Sequence, residues 1–213
     1  MKEIETLDIK YAYKKKQTLK FNFWIIFGSW LPFAFIAIFS NSLTLIAQMI
    51  MGAAQSLSVF LSWMTTRNSY RNQKDLPNAE RLNAQFMILV FMVSFLIVIF
   101  MAIDRLLLPR DIKEDLALFA LIVNSFALVV NYVQWRNNLK LSKQCPSLVM
   151  ESQLSLFFIK FFTILTVEIS LSLYFILEGK GIHAYVDTLF SFALAFLILY
   201  STFQLFRKAN GNG

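Results

Sequence analysis

Two ionisable side chains, Lys160 and Glu168, sit inside one apolar stretch, FFIKFFTILTVEISLSL. A charged group at such a position costs about 2.5–3.5 kcal/mol or more in a membrane, so it faces protein or water and marks a candidate functional site. The two are eight residues apart, about 12 Å along a helix and about 80° around it, too far for a direct ion pair on a straight helix. In chemical terms, Lys160 supplies a fixed positive charge and Glu168 a carrier for a proton or a cation. In the plainer reading, Lys160 snorkels to the cytoplasmic face and Glu168 hydrogen-bonds within a bundle. Asn124 and Asn131 are seven apart, as are Gln48 and Gln55, which puts each pair on one helix face. Such amides either line a polar route or tie helices together at about 0.6 kcal/mol per contact. Gln55, Asn131, Lys160 and Glu168 are therefore the candidate polar path.

Other reactive groups are sparse. Met49, Met51 and Met64 have the softness for Cu(I), but lack a Cys or His partner and read as packing residues. His183, the only histidine, stands four residues before Asp187; a metal pair there competes with a solvated loop histidine. Cys145 is the only cysteine, which rules out an internal disulfide or a thiolate cluster in one chain. No Ser–His–Asp or Cys–His set, HExxH or phosphate-binding glycine loop is present, and an intramembrane aspartyl protease needs two acids within its spans. The expectation is of a protein that is not an enzyme and has no cofactor.

These residues need elements to hold them, and the elements are apolar runs. The spans read as 21–40, 43–66, 82–103, 116–135, 152–177 and 185–205. Each is close to the about 20 helical residues that cross a hydrocarbon core about 30 Å thick. The chain is 57% hydrophobic and 15% charged, whereas a soluble domain is about 25% charged. Runs such as FMILVFMVSFLIVIFMAI are apolar on both parities, unlike the alternating strands of a barrel. The fold class expected is an all-α, six-helix integral membrane bundle. Pro32 interrupts the first span and is placed to kink it. The expected organisation is a basic N-terminal segment at 1–20, a transmembrane domain at 21–208 and a short tail at 209–213, with no soluble C-terminal domain. The polar first 20 residues also argue against a cleaved signal peptide.

Charge sets the expected topology. Basic residues crowd the N-terminal tail (Lys2, Lys10, Lys14, Lys15, Lys16, Lys20), the second loop (Arg67, Arg71, Lys74, Arg81), the fourth loop (Arg136, Lys140, Lys143) and the C-terminus (Arg207, Lys208). The opposite side has only Arg105, Arg110, Lys113 and Lys180. The positive-inside rule puts both termini in the cytoplasm of an inner or plasma membrane. The net charge of +7 then belongs to topology and anionic lipid, with Lys14–Lys16 against headgroups, and implies no nucleic acid.

Five segments together resemble the cation diffusion facilitator (cation efflux) family. AYVDTLFSFALAFLILYSTFQLFRKA resembles its sixth helix, with Asp187 as the opening acid. NSLTLIAQMIMGAAQSLSVFLSWMTTR resembles the first loop and second helix, out to Arg67. NAERL, with Asn78 and Glu80, resembles the start of the third helix, IDRLLLPR its exit, and LVVNYVQWR the fourth helix with Asn131 in its polar position. The resemblance covers roughly residues 10–208. It implies a six-helix domain, commonly a homodimer, that exports Zn²⁺ or similar divalent cations in exchange for protons.

In that family, as the resemblance implies, Asp or His pairs four apart on helices two and five hold the ion. Such pairs share a face and together give the tetrahedral set Zn²⁺ prefers. Here the positions map to Met51 and Gln55 and to Ser155 and Ile159, or, one register over on helix five, to Leu154/Phe158 or Leu156/Lys160. None is a carboxylate or imidazole, so no intact metal site is expected. An ammonium at Lys160 would stand beside the lost site and replace the ion electrostatically. The leading function is thus divalent cation transport of the cation diffusion facilitator type with its usual zinc ligands missing. The alternatives are a non-transporting partner or regulator in a paralogue heterodimer, or a transporter of a different solute.

Overall fold

The computed structural model describes residues 2–69, 76–108, 112–144, 148–177 and 182–209. They form six helices: α1 (Lys2–Ser40), α2 (Leu43–Ser69), α3 (Leu76–Leu107), α4 (Glu114–Gln144), α5 (Leu148–Ile176) and α6 (His183–Ala209). No strand occurs among the described residues. All six contain a stretch long and apolar enough to cross a membrane, which bears out the all-α membrane bundle. Cys145, Arg71, Lys74, Arg110 and Lys180 lie outside the described residues, as do the side chains of Asn78, Glu80 and His183.

The helices overrun the apolar runs. α1 spans 39 residues, about 58 Å of rise, well beyond a hydrocarbon core about 30 Å thick. Its first half, KEIETLDIKYAYKKKQTLK, has no Gly or Pro and many straight-chain helix formers, so nothing stops it at the apolar boundary. α1 also runs on through Pro32. That residue has no N–H, so the Gly28 carbonyl loses its usual partner within the helix.

α2 and α5 are the inner helices, with 56% and 50% of their apolar stretches buried against 22% for α4. α1 packs on α2, α4 on α5, and α3 and α5 on α6. The largest core runs through Leu45, Met51, Met87, Phe91, Leu156, Val167, Leu171 and Leu194. Large apolar side chains also cover the outside, among them Leu89, Leu96 and Phe100 on α3 and Phe126, Val129 and Val133 on α4. In water such a surface would aggregate; here it is the face toward lipid.

One end of the bundle is knitted by polar contacts. The α1–α2 link is only Asn41 and Ser42. Asn41 turns the chain with φ 61°, a left-handed conformation that Asn tolerates better than most residues. Ser42 is the N-cap of α2: its Oγ accepts from Leu45 N at 3.3 Å. The Arg105 guanidinium, at the end of α3, donates to the Asn41 carbonyl. Lys113 N donates to Ser40 O at 2.9 Å, and Ile112 N to the Tyr174 hydroxyl at 3.4 Å.

Candidate functional site

A cavity of about 80 Å³ lies between α1, α2, α4 and α5. α2 presents Gln48, Met51, Gly52 and Gln55 to it, α4 presents Asn124 and Asn131, and α5 presents Lys160, Thr163 and Ile164. Heptad spacing explains the set: Gln48 and Gln55, and Asn124 and Asn131, recur after two turns and so share a face. Trp30 and Phe33 of α1 close the outer wall. Gly52 permits this closure. A Cβ on it would meet Trp30 Cδ1 at 2.7 Å, and the indole Nε1 donates to Met49 O at 2.8 Å.

The cavity brings together three of the four candidate path residues, Gln55, Asn131 and Lys160. Glu168 is not part of its wall; it accepts from the Ser125 hydroxyl and ties α5 to α4. Of the positions that the resemblance assigned to metal ligands, Met51 and Gln55 line the cavity. Ile159 is buried in the core and Ser155 is half-buried, and neither lines it. On α5 that part falls to Lys160. Gln55 Nε2 donates to Leu156 O at 3.3 Å, so it meets α5 one turn before Lys160.

No Asp, Glu or His lines the cavity, and no group of three His, Cys, Asp or Glu suited to a metal occurs among the described residues. Lys160, twelve residues into α5, supplies the only formal charge among the described residues of the wall. The rest of the polar lining is neutral and incompletely used. Gln48 Nε2 donates to Asn124 Oδ1 at 2.9 Å, and Asn131 Nδ2 to Ala127 O at 2.7 Å. Gln48 Oε1, Asn124 Nδ2, Asn131 Oδ1 and Thr163 Oγ1 are buried without a partner among the described residues. Buried polar groups are nearly always satisfied, so four such atoms on one cavity mark a space for water or a ligand.

The amide face continues along α4. Asn138 lies seven residues beyond Asn131, is fully buried, and accepts from Asn22 Nδ2 of α1 at 3.2 Å. Gln134 is buried with both amide atoms unpaired. Beyond it, a cleft of about 490 Å³ between α1 and α4 is lined by Lys14, Asn22, Gln134, Lys140 and Gln144. Amides thus run from this basic end toward the central cavity. Sequence reasoning missed Asn138, Gln134 and Asn22; the Asn124–Asn131–Asn138 heptad was the signal that would have found Asn138. Trp30 and Thr163 carried no signal.

Asp187 has a defined task. Its carboxylate accepts from Ser42 Oγ at 2.9 Å, Thr44 N at 3.1 Å, Leu43 N and Thr44 Oγ1. It therefore caps α2 from across the bundle, where the free amides and helix dipole favour a negative charge. Both oxygens are engaged, so a metal at Asp187 would have to displace these donors.

No curated protein matches the chain. Residues 19–210 match the cation efflux transmembrane domain. With six helices long and apolar enough to cross a membrane among the described residues and nearly its whole length inside that match, the chain belongs to the cation efflux family of membrane transport proteins.

Proposed function

We propose that the protein is a cation-efflux-type transport protein whose central cavity is not built for a divalent metal and handles a more weakly held solute. The observation that carries this reading is Lys160 in the cavity wall, among amides and without an acid. A doubly charged ion about 4 Å from an ammonium meets about 8 kcal/mol of repulsion at an effective dielectric near 20. Met51 and Gln55, at the inherited helix-two positions, offer a thioether and an amide, which cannot replace the hydration shell of Zn²⁺ as thiolate, imidazole or carboxylate do. Neither exchanges metal for a proton, since neither has a proton to lose on binding. The amides of α4 supply a route between the basic end and the cavity, and the basic residues at that end favour a cytoplasmic location for both termini.

The experiment is flux in proteoliposomes under a proton gradient, with Zn²⁺, Mn²⁺ and Fe²⁺ tested in turn. None of the three is expected to move above protein-free vesicles. Saturable, proton-driven flux of any of them would refute the reading. A second reading, a non-transporting partner or regulator in a paralogue heterodimer, is favoured by the knitted end. There Asp187, Arg105 and Lys113 hold the α1–α2 link from three sides, which opposes the opening that alternating access requires. Co-purification of a flux-competent paralogue, with no flux by this chain alone, would select it.

A further inference from the structure

We propose that the central cavity binds a small monovalent anion, of halide size, held by the Lys160 ammonium, the Asn124 amide and the Thr163 hydroxyl. This deepens the reading of the cavity as one not built for a divalent metal, and rests on it.

The argument begins with charge. Lys160 is half-buried, within a helix long and apolar enough to cross a membrane, where a charge without a counter-charge is costly and charges are accordingly paired. Among the described residues, no carboxylate lines the cavity. Glu168 lies eight residues further along the same helix, about 12 Å of rise away, and its Oε1 is engaged by Ser125. The chain therefore leaves the positive charge of Lys160 to be balanced from solution.

The donors make the same point. Among the described residues, Asn124 Nδ2 is buried with no acceptor, and the hydroxyl of the 2%-exposed Thr163 has none either. Together with the ammonium they put three kinds of donor on one cavity. The unpaired oxygens of Gln48 and Asn131 are there to take the remaining ammonium N–H groups, directly or through water. The polar lining can thus satisfy a cation fixed to the protein and an anion from solvent together, which a metal-ligand set would not do.

Size restricts the ligand. A volume of about 80 Å³ has room for several water-sized bodies at about 10–15 Å³ each by that measure. A halide with a water or two fits; a gluconate does not.

The test is equilibrium binding of ³⁶Cl⁻ to the purified full chain in detergent, at constant ionic strength set with gluconate. One saturable site per chain is expected, displaced by bromide and untouched by gluconate. Lys160→Gln should weaken binding about tenfold or more, as expected for loss of a charged hydrogen-bonding partner. Arg207→Gln, exposed near the end of α6 and lining neither the cavity nor the α1–α4 cleft, should leave it unchanged. Should Lys160→Gln fail to fold, Thr163→Val serves instead and should weaken binding severalfold. Absence of saturable binding, or binding that Lys160→Gln or Thr163→Val leaves unaltered, or binding lost in Arg207→Gln, would overturn the proposal. Lack of chloride binding in a protein that also moves no divalent metal would sink this inference alone. Proton-driven metal flux would sink the reading beneath it.

Discussion

Lys160 decides the chemistry of the cavity, and Glu168 does not enter it. The two were equally conspicuous in the sequence, because each is an ionisable group in an apolar run. Their fates differ because they stand about 80° apart around α5. Lys160 meets the α2 and α4 amides, whereas Glu168 meets Ser125 on the outer part of α4. Glu168→Gln should therefore leave cavity ligand binding within about twofold, with a stability loss of about 1 kcal/mol from the weakened hydrogen bond. Ligand titration and thermal unfolding of the same preparation check both halves. A variant that unfolds normally but no longer binds would restore Glu168 to the path. Asp187 behaves differently again. Asp187→Ala strips acceptors from the buried α2 N-terminus, and a stability loss of about 2 kcal/mol or more is expected, read as a lowered melting midpoint. Asp187→Asn, which keeps one carbonyl oxygen, should lose less. An unchanged midpoint for Asp187→Ala would show that the cap is dispensable.

At the scale of the helices, close approach matters more than length. α1 and α2 touch beside the cavity because Gly52 leaves room for the Trp30 ring. Gly52→Ala should push that ring aside and break its bond to Met49 O, at about 1–3 kcal/mol for an overpacked contact. A changed Trp fluorescence and a lower unfolding midpoint would register it; a neutral substitution would mean the indole swings away freely. On the other side of α1, Asn22 and Asn138 form a buried pair. Removing one partner orphans the other, so Asn138→Leu alone should destabilise more than Asn22→Leu with Asn138→Leu together. A double-mutant cycle on unfolding free energy measures this, and strict additivity would contradict it. The six helices were legible because membrane spans announce themselves by length and composition alone. Their ends were not: the amide-rich NNLKLSKQ of α4 and the charged start of α1 look like loop by hydropathy, yet their backbone keeps its helical bonds into the polar zone.

For the whole molecule, the family was legible in the order of weak motifs, and residues 19–210 bear that out. The cavity was legible in part. Gln55, Asn131 and Lys160 could be chosen from their polarity within spans, and Gln48 and Asn124 from heptad spacing. Their convergence depends on how α1, α2, α4 and α5 are rotated about their own axes, which a nearly uniform apolar surface does not specify. Likewise, the role of Asp187 as a cap for α2 joins residues 145 apart in sequence; no local pattern carries it. The molecule that results has a rigidly tied end, a basic end with an amide-lined cleft, and between them a cavity whose one fixed charge is positive. The account stands on that last feature. Equilibrium binding of ⁶⁵Zn²⁺ to the purified chain tests it most directly. The prediction is no saturable site, with or without Gln55→Leu in the cavity wall. One Zn²⁺ bound per chain, and released by that substitution, would contradict it.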